Sequence, residues 1–332
     1  MKIDFVITWV DGNDPNWRKQ KREYSPVKAS DDSNKRYRDM GILKYWFRAV
    51  EKYAPWVNKV HFITWGHLPE WLNVDCPKLN IVRHEDYIPK QYLPTFSSHP
   101  IELNIHRIEG LEEHFVYFND DMILNNEVFP DFFFKKGLPC DFLNIEDIYF
   151  SDIDDAYSHI TVNNTWTLNN HYSYIKSFFK HPTKYISFKY PVKHIIKNIL
   201  KLEHCNTIPG FCEHHMAEPY CKKSLERAWE RHGEILDNTC KNKFRTPFDV
   251  SQTIFRGTSL FEGEFYPVSP KSRGRYIQLK ADIKELKEAI LNSEYKMLCI
   301  NDSSDDIDFE KVKQELIDIY EKKLPEKSEF EL

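Results

Sequence analysis

The segment from Pro94 to Leu124, PTFSSHPIELNIHRIEGLEEHFVYFNDDMIL, limits the possible folds of this chain more than any other. Its stretch His114–Phe118 (HFVYF) is short, aromatic and β-branched, the composition of a strand buried in a sheet. Asn119, Asp120 and Asp121 follow where that strand must end. Open α/β sheets bind ligands just outside the carboxyl ends of their strands, and two adjacent carboxylates there suit a hard divalent cation. An ordinary turn has the same Asn-Asp-Asp composition, so the pair alone does not separate a site from a loop. Upstream, Ile101, Ile105, Ile108 and Leu111 recur at helical spacing, which puts Glu102 and His106, four apart, on one face. Gly110 marks a break near the end of that helix.

Ile3 to Val10 (IDFVITWV) reads as a first strand and Asp11-Gly12-Asn13-Asp14-Pro15 as a strong turn after it. Asp11 and Asp14 are thereby expected on the same sheet edge as Asp120 and Asp121. Residues 19–34 are polar and read as a loop over the site. Asp31, Asp32 or Ser33 is a candidate cap for a helix whose buried stripe is Met40, Leu43, Phe47 and Val50. Pro55 should end it, with strands following at Lys59–Thr64 and Leu79–Val82. Helices alternating with short apolar strands predict an α/β fold with a mostly parallel sheet flanked by helices. Arg36, Arg38 and Arg48 fall on the polar side of the first helix, where they could meet a diphosphate or simply water.

In the second half, Glu213-His214-His215-Met216-Ala217-Glu218 leads into a helix expected over Lys222–His232. The adjacent histidines suit a metal site, a catalytic base or plain capping. Arg245-Thr246-Pro247-Phe248-Asp249 follows, with Thr246 or Asp249 as a helix cap. A helix at Lys280–Asn292, a strand at Lys296–Ile300 and a turn at Asn301-Asp302 come next. A last helix, Phe309–Lys322, has the stripe Val312, Leu316, Ile319 and Tyr320, and the terminal PEKSEFEL is expected to be exposed.

With 41% hydrophobic and 15% aromatic residues the chain is a folded globular protein. Its net charge of −5 gives no support for a nucleic-acid binder. The start, MKIDFVITWVDG, does not resemble a signal peptide, and no apolar run is long enough to cross a bilayer as a helix. The expected location is the cytoplasm, with the inner face of the membrane as the alternative within it. The seven cysteines fit reduced thiols; Cys205, Cys212, Cys221 and Cys240 with His204, His214 and His215 lack the paired spacing of a specific zinc site. Between Lys176 and Leu202 stand seven lysines and no acid, interleaved with aromatic and aliphatic residues. Such a stretch, 176–201, could rest on an anionic membrane, hold an acidic polymer, or present its lysines to solvent.

Four blocks in order resemble the Stealth family of sugar-phosphate transferases, which includes bacterial capsular polysaccharide phosphotransferases and the catalytic subunit of the Golgi N-acetylglucosamine-1-phosphotransferase. They are IDFVITWVDGNDP; the long block from Arg36 to Leu124, with APWVNKVHFITWG, LPTFSSHPIE, HRIEGL and YFNDDMIL; HHMAEP with FRTPFDVSQ; and KMLCINDSSDDID with LPEKSEFE. The resemblance implies a glycosyltransferase-A-like α/β core in two parts, 1–146 and 208–332, around a variable, lysine-rich helical insertion, 147–207. It implies transfer of a hexose 1-phosphate from a UDP-sugar to a glycan or lipid-linked glycan hydroxyl, with UMP released. It places Glu102, Asp120, Asp121, His215 and Arg245 at active-site positions, with Asp11 and Asp14 on the donor side, where Arg38 of the first helix is a further candidate for the nucleotide sugar. Asp120 and Asp121 would hold Mg²⁺ or Mn²⁺, and His215, Asp120 or Glu102 would accept the proton of the incoming hydroxyl. The rival readings are a metal-dependent glycosyltransferase, which would release UDP, and a carbohydrate-binding component stacking sugars on its 8 Trp and 18 Tyr.

Overall fold

The computed structural model describes residues 1–25, 37–149, 156–204, 206–302 and 307–332. Its strands, in chain order, are β1 (Asp4–Thr8), β2 (Val60–Thr64), β3 (Leu79–Arg83), β4 (His114–Phe118), β5 (Met122–Leu124), β6 (Phe134–Lys135), β7 (Leu138–Asp141), β8 (Glu218–Cys221), β9 (Tyr266–Pro267), β10 (Arg275–Gln278) and β11 (Met297–Asn301). The central sheet has the order β3-β2-β1-β4-β8, parallel throughout except for the antiparallel edge pair β4–β8. Smaller sheets run β10-β11-β5 and β6-β7-β9. This is the expected α/β class with a mostly parallel sheet and flanking helices.

The sheet is buried on both faces, and the period of two sorts its residues. Phe5, Ile7, Val116 and Phe118 join one apolar cluster with Trp46, Phe47 and Phe62; Val6, Ile63, Phe115 and Tyr117 join another with Leu103, Ile105 and Ile254. Because β1 and β4 are parallel and register Ile7 against Phe118, their carboxyl ends open on the same edge.

The expected strands before β5 and the strand at the Lys296 segment form within a residue or two of their predicted ends, except that β1 is shorter than its segment. So does the last helix, Phe309–Lys323, with Val312, Leu316, Ile319 and Tyr320 buried. The helix expected over Lys280–Asn292 begins only at Lys284, and other expectations fail for identifiable reasons. The loop expected from Lys19 is helical as far as Tyr24, because Asp14 caps and Pro15 starts a helix, Pro15–Tyr24; residues 26–34 lie outside the described residues, as do the proposed caps Asp31, Asp32 and Ser33 and the residue Arg36. Arg48 is not on a polar face: it is buried and forks onto Glu331 at 2.8 and 2.9 Å. The terminal segment is correspondingly held, with Phe330 buried 5.0 Å from the Phe47 ring.

The insertion is helical as expected: Ala156–Asn169, Tyr174–Lys180, Pro182–Tyr185 and Val192–His204. It shares its apolar cluster with the rest of the chain, Leu168, Tyr174, Phe178 and Tyr185 packing with Leu143, Phe211, Leu260 and Phe261. Cys212, Cys221 and Cys240 are free thiols, and none belongs to a metal-capable cluster among the described residues.

Candidate functional site

A cleft of about 1160 Å³ opens at the carboxyl edge of β1 and β4. The Asn119–Asp121 turn forms its floor, closed by the Met122 amide donating to the Asn119 carbonyl at 3.1 Å and tied to β11 by the Ile300 amide on the Asp121 carbonyl at 2.8 Å. Glu102 comes from the helix Ser98–Leu103, capped by Ser97, and accepts from the Tyr117 hydroxyl at 3.3 Å. His215 arrives because β8 runs antiparallel to β4 with Glu218 opposite Tyr117. Residues just before β8 therefore lie alongside residues just after β4, and His215 Nε2 meets Asp121 Oδ2 at 2.9 Å. Arg245 is set by a zipped pair of loops: the Phe96 amide donates to the Lys243 carbonyl at 2.9 Å, the Phe96 and Phe244 rings stack at 5.3 Å, and Arg245 Nη2 donates to Ser98 Oγ at 2.8 Å. Glu102, Asp120, Asp121, His215 and Arg245 all line this one cleft.

The electrostatics mark a surplus of negative charge. Asp120 meets solvent in the cleft, yet enclosure by the walls, then the charges of Asp121 and Asp39, push its carboxyl up to about 7. Asp121 Oδ1 is buried without a hydrogen-bond partner, which leaves an oxygen available to a cation. The His215 imidazole is raised above its ordinary range: burial works against its charged form, but the hydrogen bond and charge of Asp121 outweigh it. Cys299 lies 3.4 Å from Asp121 Oδ2; burial and the two aspartates hold its thiol protonated, so it donates to the carboxylate, and a hard Mg²⁺ or Mn²⁺ is better matched by the oxygens.

Other expected residues are placed elsewhere. His106 does not join Glu102, because Asn104 Nδ2 takes the Pro100 carbonyl at 2.8 Å and ends the helix, leaving His106 in a 3₁₀ turn with its ring 5.9 Å from Trp229. Asp11 and Asp14 lie outside the cleft lining: Asp11 Oδ1 accepts from the Asn13 amide at 2.8 Å, and Asp14 Oδ1 caps the amides of Asn16 and Trp17 at 2.9 and 2.7 Å. Arg38 does line the cleft, but its guanidinium is engaged by Asp302 at 2.8 and 3.0 Å. Asp249 caps no helix; it accepts from the Thr246 amide and hydroxyl, each at 2.8 Å, and from Asn242 at 2.7 Å, fixing the turn that carries Arg245.

Sequence reasoning missed Asp141, Arg256 and Arg273, which form a buried ionic group with His214 and Glu218; all but Asp141 line the same cleft. Arg256 donates from Nε and Nη2 to Asp141 at 2.8 and 3.0 Å. His214 sits between Asp141 and Glu218, at 3.5 and 3.3 Å, and Arg273 approaches Glu218 at 3.8 Å. Burial, then the neighbouring arginine, pushes the His214 imidazole down to about 4. Burial pushes Glu218 up to about 8, whereas Arg256 and His214 hold Asp141 well below the usual carboxylate range in spite of burial. One local signal was an arginine as the single charged residue of a helix, Thr253–Phe261, that is buried almost throughout.

Residues 1–26, 36–140 and 288–332 match the Stealth protein conserved regions 1, 2 and 4. The capsular polysaccharide phosphotransferase WcwK of Streptococcus pneumoniae is 41% identical, covering 99% of this chain and 98% of that protein. The receptor polysaccharide phosphotransferase WefC of Streptococcus gordonii is 38% identical over 100% of this chain and 99% of its own length. The exopolysaccharide phosphotransferase cps2G of Lactiplantibacillus plantarum is 36% identical over 99% and 96%. Among solved structures, mouse xyloside xylosyltransferase 1 is similar with a TM-score of 0.34 at 10% identity, covering 90% of this chain and 97% of its own, and the galactosyltransferase LgtC with a TM-score of 0.39 at 10% identity, covering 94% and 95%. On three matched conserved regions and relatives aligned over almost their whole length, the chain belongs to the Stealth family.

Proposed function

We propose that this chain moves a hexose 1-phosphate, such as an N-acetylhexosamine 1-phosphate, from a UDP-sugar to a glycan hydroxyl in capsular or extracellular polysaccharide synthesis. The observation that carries this reading is the gathering of Asp120, Asp121, Glu102, His215 and Arg245 from separate segments into one cleft, in a chain whose relatives are named polysaccharide phosphotransferases. The acceptor oxygen attacks the sugar-bearing phosphorus, the bond from that phosphorus to the bridging oxygen breaks, and UMP leaves with the electron pair. His215 takes the hydroxyl proton on its imidazole, held in place by Asp121. Glu102 orients the acceptor hydroxyl, and the planar fork of Arg245 binds the phosphoryl oxygens. Asp120 and Asp121 are the residues that would hold Mg²⁺ or Mn²⁺, which when bound neutralises diphosphate charge and assists the leaving group. The sugar's anomeric bond is never broken, so its configuration persists in the product. Arg38 lies on the donor side of this scheme; Asp11 and Asp14 have local structural duties and receive no donor role.

The test is to incubate the purified protein with UDP-sugars and an acceptor oligosaccharide and identify the nucleotide released. UMP is the expected product. Release of UDP would replace this reading with glycosyl transfer.

A further inference from the structure

The insertion carries an outward face that the fold does not cover. Of its crowded apolar residues, Tyr174, Phe178, Tyr185 and Tyr190 turn inward and are buried. Phe188 is fully exposed, and Phe179 and Val192 are each 71% exposed. In the helix Val192–His204, Asn198 fixes the inner side: it is buried, its amide donates to the carbonyls of Leu143 and Tyr185 at 3.0 Å, and its oxygen accepts from the Ile145 amide at 3.0 Å. At about 100° per residue, Val192, Ile196, Ile199 and Leu200 then fall within about 100° of arc on the other side, and all four are exposed. Single exposed apolar residues are common, whereas a continuous stripe marks a surface with a partner.

The charge around the stripe says which partner. No acid occurs from Lys176 to Leu202, and Glu203 is the first beyond it. Lys197 and Lys201 are engaged by Glu146 and Asp147 at 3.6 and 2.6 Å, and Lys184 and Lys189 lie over the Phe265 and Tyr266 rings. Lys176, Lys180 and Lys193 are exposed and form no ion pair with a described acid. A second copy would bring the same positive charge against itself. An anionic bilayer supplies both things the face lacks, an apolar medium for the stripe and negative headgroups for the lysines, of which Lys193 falls at the edge of the stripe by the same helical angles. No helix among the described residues is long and apolar enough to cross a membrane, so the fit is a helix lying on the surface.

We infer that Phe188 and the Val192–Leu200 stripe, with Lys176, Lys180 and Lys193, dock this protein onto an anionic lipid surface. The full chain is mixed with vesicles of phosphatidylglycerol or of phosphatidylcholine and sedimented. Binding is expected to phosphatidylglycerol, weakening as salt is raised. Replacing Phe188, Val192, Ile196 and Leu200 together by Ser is expected to lower that binding at least about tenfold. The combination Lys176→Glu, Lys180→Glu and Lys193→Glu is expected to do the same by charge alone, and serves as the independent variant if the serine protein melts early. Equal binding to both vesicles, or none to either, overturns the inference. So does a wild-type dimer that the serine variant converts to monomer, which would make the face a contact between copies. Sedimentation needs no turnover, so the result stands apart from the reaction proposed for the cleft.

Discussion

His214 and His215 are neighbours in the chain, yet the structure puts them in opposite electrostatic settings. His215 is exposed to the cleft, bonded to a carboxylate that still has a buried oxygen unpaired, and its imidazole is raised. His214 is enclosed by Asp141, Glu218 and two arginines, and its imidazole is lowered. The difference teaches where the cleft keeps chemistry in reserve. Around His215 the charges are left uncompensated by protein, the condition of a site awaiting a ligand. Beside His214 the Arg256 guanidinium and the Asp141 carboxylate pair directly with each other, the condition of a scaffold.

The largest expected effect tests the His215 side. Asp121→Ala and His215→Ala should each cost orders of magnitude in turnover while leaving the thermal midpoint almost unchanged, read by product formation and calorimetry. Near-normal, metal-dependent activity in Asp121→Ala would remove the metal assignment. The scaffold side should show the reverse. Arg256→Met strands the buried Asp141 carboxylate and should cost about 3–5 kcal/mol in urea unfolding; a midpoint unchanged from wild type would break the comparison.

Arg245→Lys keeps the charge but loses the fork, and should lower kcat/KM about ten- to a hundredfold, or about 1.4–2.8 kcal/mol of transition-state stabilisation. A last pair of tests reads pH dependence. Asp141 is depressed in the folded state, so its contribution to stability is present above the ordinary carboxylate value of about 3.9 and is lost as pH falls below it. Glu218 is raised to about 8, so the folded protein holds its proton longer than the unfolded chain. Stability should therefore decline as pH rises from about 4.3 towards that value, and Glu218→Gln should flatten the decline. Denaturant midpoints across pH for both proteins would check the sign.

Much of this fold was legible because its signals are local. HFVYF, VHFIT and the period of the last helix specify their elements through neighbours in sequence, and the acid pair at a strand end pointed to the cleft. The resemblance of four blocks to the Stealth family supplied the candidates Glu102, His215 and Arg245, which no local pattern singles out. Illegible were the duties of polar residues whose partners are remote. Arg48 reads as a solvated helix face until Glu331, at the far end of the chain, is placed against it. Arg38 lines the cleft, but its pairing with Asp302, 264 residues on, could not be read from the sequence. Asp14 also caps the helix Pro15–Tyr24, a duty its place just before Pro15 made legible.

By itself the sequence determined the sheet-and-helix pattern, the acidic strand end and the family, all carried by short-range periodicity or contiguous blocks. Only the tertiary structure decided which of two adjacent histidines meets Asp121 and which is enclosed beside Asp141 and Glu218. The antiparallel β4–β8 pairing brings the segment before β8 alongside the Asp pair, and one residue's difference there exchanges the environment of Asp121 for that of Asp141 and Arg256. A pKa and a role follow from those neighbours, and the neighbours lie more than ninety residues away for Asp121 and about forty for Arg256.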